Sequence, residues 1–192
     1  MDTRIFVKKR EAYRVEADSL YHDLKTNLDL STLQGVVLYN TYDVFHADAR
    51  DIELLKKKVL SEVVTDDVYD QVDLEGKTYI AYECLPGQYD QRADSAQQCL
   101  MLLNNKSDVI IKSGHIVILE GTLNNEQIDA VKHYLINPVE MREKDLSILV
   151  NEEDVTIEPV PTIHGFINYD EAQLQALREK EGLAMTLADI QH

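Results

Sequence analysis

Apolar positions along the chain fall into an order that recurs. Ile5-Phe6-Val7 has the β-branched and aromatic character of a strand, and Val15, Leu20, Leu24 and Leu28 follow at helical spacing. Val36 to Phe45, "VVLYNTYDVF", reads as a long strand. Ile52, Leu55 and Val59 mark a short helix, and Val63 to Leu74 reads as extended. The same succession then returns. Thr78 to Cys84 is a strand, and Ala93 to Leu103 is a helix with Ala96, Leu100 and Leu103 inward. Val109-Ile110-Ile111 and His115 to Leu119 read as two strands around a turn at "KSGH". Glu126 to Leu135 is a helix carrying Ile128, Val131 and Leu135; Asn137-Pro138 ends it, and an extended exit runs to Val150.

Ile5 and Ile80, Leu60 and Leu135, and Leu24 and Cys99 each stand 75 residues apart. The pattern predicts an α+β fold built from two strand–helix–strand–strand–helix units, pseudo-repeats of about 4–75 and 78–150, with apolar faces that bury each other or their helices. The Gly-rich strand–helix turns of a doubly wound sheet are missing.

Past Val150 the character changes. "NEEDVTIEPVPTIHGF" is acidic and holds two of the four prolines, which marks a linker. Residues 151–192 carry nine acidic and two basic side chains. Asn168 with Glu171 resembles a capping box for a helix over Asp170 to Lys180, closed by Gly182. Thr186 followed by Asp189 opens another helix, which has only a few residues in which to run. An isolated helix needs ~12–15 residues to be even marginal, so the expected organisation is a domain at 1–150 and the start of a helical segment at 151–192 that belongs to a longer chain.

Composition narrows the function classes. A net charge of −16 repels a phosphate backbone and anionic lipid, which disfavours nucleic-acid and membrane partners. The start, "MDTRIFVKKR", lacks the apolar run of a signal peptide, and no stretch reaches ~18 apolar residues. Cys84 and Cys99 do not make a disulfide framework; both read as buried free thiols of a cytoplasmic protein.

Candidate chemistry is sparse. No phosphate-binding loop, dinucleotide fingerprint or nucleophile elbow is present, and six scattered histidines offer no metal-ligand spacing. Asp66-Asp67 and Glu152-Glu153-Asp154 read as solvated charge, and Lys56-Lys57-Lys58 as the wet face of a helix. The exception is "LPGQYDQRADSAQQC", where Gln88, Gln91 and Arg92 stand just before a helix whose unpaired N–H groups favour an anion. Arg92 could grip a phosphate or carboxylate with two prongs. The alternative is that Asp90 caps the helix and Arg92 pairs with a nearby acid.

That segment, together with "RIFVKKR", "STLQGVVLYNTYDVF", "INPVEMREKDL" and "EGLAMTLADIQH", resembles the N-terminal region of large, single-chain phosphoribosylformylglycinamidine synthases. The resemblance implies ferredoxin-like halves, similar to a fused pair of the small accessory subunits of the multi-subunit enzyme. It implies a parent ligase of purine biosynthesis that uses glutamine and ATP with Mg to turn formylglycinamide ribonucleotide into the amidine. It implies that Gln88, Asp90, Gln91, Arg92 and Ser95 face the ribonucleotide, and that the partners are synthetase and glutaminase domains of the same parent chain. The family's Cys-His-Glu glutaminase triad, its ATP-binding halves and a His-Cys-Arg-His string are missing here, so no catalytic residue, metal or cofactor is expected in this segment. The rival expectation is a free-standing metabolite-binding regulatory or oligomerisation module.

Overall fold

The computed structural model describes residues 2–105, 108–151 and 162–191. The chain divides into two compact units, Met1–Glu152 and Glu153–His192. The first is a mixed α+β unit with a six-stranded, wholly antiparallel sheet in the order β3-β1-β2-β5-β4-β6. Its strands are β1 (Thr3–Lys9), β2 (Leu33–Phe45), β3 (Asp66–Tyr69), β4 (Thr78–Cys84), β5 (Ile110–Gly121) and β6 (Met141–Glu143). Its helices are α1 (Val15–Asn27), α2 (Ala49–Leu54, continued by a π-helical turn over Leu55–Val59), α3 (Gln91–Asn104) and α4 (Asn125–Leu135).

Alternation along β2 explains the layering. Val36, Leu38, Tyr42 and Val44 point to one face, where the helices lie. One half of that face buries Ile5, Val7, Tyr42, Val44 and Ile111 under Leu55, Ala93, Ala96 and Leu100 of α2 and α3. The other half buries Val36, Ile80, Val117 and Leu119 under Leu24 of α1 and Val131 of α4. Local chemistry starts the helices. Asp48 with Asp51, and Asn124 with Gln127, form reciprocal capping boxes for α2 and α4.

The opposite face is partly apolar, with Phe6, Ala81, Ile116 and Ile118, and partly charged. Arg4 donates to Asp43 Oδ1 at 2.5 Å, Lys144 reaches Asp43 Oδ2 at 2.7 Å and also pairs with Glu83, and Arg142 donates to Glu83 at 2.8 Å. Asp43 and Lys144 are buried. Arg4 also donates to the carbonyls of Leu146 and Ile148, which ties the segment after β6 to β1. Lys144 passes over Gly114, where a Cβ would come within 2.8 Å of the Tyr82 carbonyl oxygen.

Several expectations need correction. β5 is one continuous strand, so "KSGH" is not a turn and its glycine serves a close approach instead; each half therefore runs strand–helix–strand–helix–strand, not strand–helix–strand–strand–helix. Leu103 and Val15 face outward, at 46% and 72% exposure. Cys99 is exposed and Cys84 only half-buried, because the inward row of α3 is Ala93, Ala96 and Leu100. Of the stretch 63–74 only Asp66–Tyr69 is a strand, and of the exit after Pro138 only Met141–Glu143. Asp66 is not solvated charge but buried, 2.7 Å from Lys9 Nζ.

The second unit contains a 3-10 turn at Phe166–Asn168, α5 (Glu171–Lys180) and α6 (Leu187–Gln191). Asp170 with Gln173, rather than Asn168 with Glu171, makes the capping box of α5. Thr186 and Asp189 bond reciprocally at the start of α6. Most of the expected linker, residues 152–161 with Glu152-Glu153-Asp154, lies outside the described residues. Among the described residues no helix is long and apolar enough to cross a membrane.

Candidate functional site

The loop from β4 to α3 is set by a tight turn. Gln88 N–H donates to the Leu85 carbonyl at 3.0 Å, and the third turn position needs a positive φ, which Gly87 supplies at 84°. The chain then reaches Asp90, whose carboxylate does two jobs. Oδ1 accepts from Ala93 N–H at 2.9 Å, capping α3, and from Ser113 Oγ at 2.8 Å; Oδ2 accepts from Ser113 N–H at 2.7 Å. Gln97 adds a second tie, its Oε1 accepting from Ile111 N–H at 2.7 Å. The N-terminus of α3 is therefore fastened to β5 by side chains on both sides of its first turns.

Arg92, two residues past Asp90, is only partly withdrawn from solvent, its Nη1 3.5 Å from Tyr42 Oη. Burial works against its charge, but the contact with Tyr42 and the nearby acids Glu16 and Asp90 outweigh that and raise its pKa. Tyr82 and His115 complete the group, their rings 5.1 Å apart on neighbouring strands. Burial pushes Tyr82 up to about 12, with Glu16 adding to the rise. Burial pushes His115 down to about 4, with the Arg92 charge in support, and its Nδ1 is buried without a partner. At neutral pH the site thus holds a cation, an uncharged imidazole and a protonated phenol, with Asp90 committed to structure.

Such a set can recognise a ligand but is poorly equipped for chemistry. An imidazole with a pKa near 4 is a weak general base at pH 7. Cys84 is no activated nucleophile either: burial, then Asp90, Glu83 and Glu140, raise its thiol pKa. Among the described residues no group of three or more His, Cys, Asp or Glu is placed to hold a metal ion.

The five sequence candidates do not converge on one point. Asp90 and Arg92 lie together beside Tyr42 and Ser113, whereas Gln88 Nε2 points to the Val139 carbonyl at 3.4 Å. Gln91 and Ser95 are exposed on α3. Glu16, Tyr42, Tyr82 and His115 around Arg92, and Ser113 on Asp90, escaped the sequence reading. Two of them sat inside the stretch taken for a turn, and alternation along β5 was the signal that placed His115 on the helix-covered face.

No protein-family model matches this chain, and no curated protein matches it significantly.

Proposed function

We propose that this chain is the N-terminal accessory domain of a glutamine-dependent ligase of the phosphoribosylformylglycinamidine synthase type, and that Met1–Glu152 consists of two fused copies of one ferredoxin-like unit. The observation that carries the reading is the mirrored strand order, β3-β1-β2 against β5-β4-β6. β1 and β4 start at residues 3 and 78, β3 and β6 at residues 66 and 141, so both pairs are 75 apart. Asn40 and His115, also 75 apart, face each other across the central β2–β5 pair, where the relating axis would pass. The first helix pair follows the repeat one residue late: buried Ala17 and Leu24 correspond to Ala93 and Leu100, 76 apart, and not to exposed Cys99.

In this reading the domain is a cytoplasmic brace. It docks onto synthetase and glutaminase domains of the same parent, which supply ATP, Mg and the ammonia chemistry, and presents the Arg92 group to the ribonucleotide. The test is a chimera in which residues 1–192 replace the N-terminal region of a family ligase. Glutamine-dependent amidine formation returns relative to the truncated enzyme; a soluble chimera without activity sinks the proposal. Within the active chimera, Arg92→Ala raises the KM for the ribonucleotide about ten- to a hundredfold, the equivalent of ~1.5–3 kcal/mol for a lost charge-assisted contact, and leaves glutamine hydrolysis unchanged. Equal kinetics would assign Arg92 to the Tyr42 contact alone.

A further inference from the structure

β1 stops pairing with β2 at Val7 opposite Asn40, so residues 33–39 of β2 are paired only with β5. A slot opens along that edge, lined among others by Lys8, Arg14, Glu16, Val36, Leu38 and Asn40. The corresponding place in the second half is the edge of β5 before Gly114, which β4 leaves unpaired in the same way. There the protein fills the space itself, with Asp90 on Ser113 N–H and Gln97 on Ile111 N–H. The residues matching Ser113 and Ile111 are Leu38 and Val36, both in the slot.

The plug, however, is missing from the first half. Asp90 is the N-cap of α3; the N-cap of α1 is Arg14, which makes no side-chain cap. An acceptor has been replaced by a cation. Arg14 presently pairs with Glu11 at 3.2 Å and Asp18 at 3.0 Å, both exposed partners that an incoming acid can displace. The surrounding stretch is the basic end of an acidic protein, with Arg4, Lys8, Lys9, Arg10 and Arg14 against Asp2 and Glu11 in the first fourteen residues. Of the two acids that line the slot, Glu11 is paired with Arg14, and Glu16, itself exposed, is offset by Arg92 nearby. A second, independent feature is Asn40, which lines the slot: its Oδ1 is a buried atom with no hydrogen-bond partner, an acceptor in want of a donor.

From this we infer that the slot between β1, β2 and the start of α1 binds a small carboxylate that carries an O–H or N–H donor on the neighbouring carbon. Its carboxylate takes the place that the Asp90 side chain occupies in the other half, on the strand-edge N–H groups and Arg14. Its donor satisfies Asn40 Oδ1, about two strand residues, or ~6.6 Å, from Leu38. The inference rests on the correspondence of the two halves proposed above but needs no ligase activity, so it can stand or fall when the chimera does the opposite.

The test is an amide-shift titration of residues 1–192 with glycolate, acetate and inorganic phosphate. Glycolate produces saturable shifts centred on Val36, Leu38 and Asn40 and binds about tenfold tighter than acetate, the worth of one added hydrogen bond to an unsatisfied group. Arg14→Asp, which installs the plug, abolishes the shifts while the rest of the spectrum keeps its dispersion; Arg14→Gln, which leaves the slot open, weakens binding severalfold. Shifts scattered over every exposed lysine and arginine, equal affinity for all three probes, or undiminished binding by a folded Arg14→Asp chain would overturn the assignment.

Discussion

The helix-covered face of the sheet and its opposite face bury comparable parts of the same strands by different means. On the first, Ile5, Val44, Val117 and Ile80 disappear beneath four helices, and each contact is interchangeable oil. On the second, Arg4, Asp43, Lys144 and Glu83 are joined in one chain of ion pairs held from opposite ends of the sequence. Apolar packing degrades gradually when a methylene is lost, because neighbours relax into part of the space. A buried charge network does not degrade gradually, since removing one member leaves another charge in low dielectric without its partner. The comparison teaches that the ends of this unit are locked by electrostatics, while its middle is held by area.

The largest expected effect lies on the charged face. Lys144 is 8% exposed and serves both Asp43 and Glu83, so Lys144→Met leaves two carboxylates short of a cation and costs about 3–5 kcal/mol. Leu100→Ala on the other face, at 1% exposure, costs about 2–5 kcal/mol and shortens nothing beyond its own cavity. The two are told apart by protease sensitivity. Lys144→Met frees the segment through Ile148 and lets it be cut before the unit unfolds; Leu100→Ala is cut only on global unfolding. Urea midpoints and limited proteolysis read both, and a Lys144→Met midpoint within about 1 kcal/mol of the parent would erase the contrast.

A smaller effect reverses the roles of the two faces under acid. His115 is the titrating group of the helix-covered face with a pKa near 4 against 6.5 in the unfolded chain. A depressed histidine contributes stability above 6.5 that is lost as the pH falls toward 4, because the unfolded chain takes up the proton first. Between pH 7.5 and 5 the loss amounts to about 2 kcal/mol. His115→Gln removes that slope, so the difference in urea midpoint between the two chains shrinks as the buffer is made more acid. Parallel midpoints across the range would mean that the imidazole is wetter than its surroundings imply.

These contrasts mark what the sequence could and could not disclose. Strand β4 is legible to the residue, since Thr78 to Cys84 is an apolar and aromatic run between Gly76 and the Pro86-Gly87 turn. Helix α3 was legible in its body, Ala93 to Leu103, but it begins two residues earlier at Gln91, and its Asp90 cap stood only as the alternative to a ligand role. The charged lock was not, for its members stand at 4, 43, 83 and 144 and nothing local distinguishes a buried Lys144 from a wet one. Gly114 carried a genuine signal that pointed the wrong way. A glycine between Ser113 and His115 suits a turn as well as a crowded crossing, and only the close approach of the Tyr82 carbonyl, with Thr41 and Lys144 beside it, decides between them. The Arg92 group failed for the same reason: Tyr42, Tyr82 and His115 are three ordinary strand residues until the sheet register brings them together.

The smallest effect on stability is the one on which the functional comparison turns. Arg92 belongs to the helix-covered face, yet it adds little to that face: it is exposed, and its contact with Tyr42 Oη is long, at 3.5 Å. A surface substitution away from caps and cores shifts stability by no more than about 0.5 kcal/mol, and Asp90, not Arg92, is the cap. Arg92→Ala therefore leaves the urea midpoint of residues 1–192 within that margin, whereas Asp90→Ala, losing the cap and both bonds to Ser113, costs about 1–3 kcal/mol. If the pair behaves so, a cation has been kept beside a neutral histidine at no structural gain, and a loss of ribonucleotide use in the Arg92→Ala chimera reads as a lost contact with ligand. If Arg92→Ala instead destabilises as much as Asp90→Ala, the guanidinium is a strut between α3 and β2, and the recognition role passes to its neighbours.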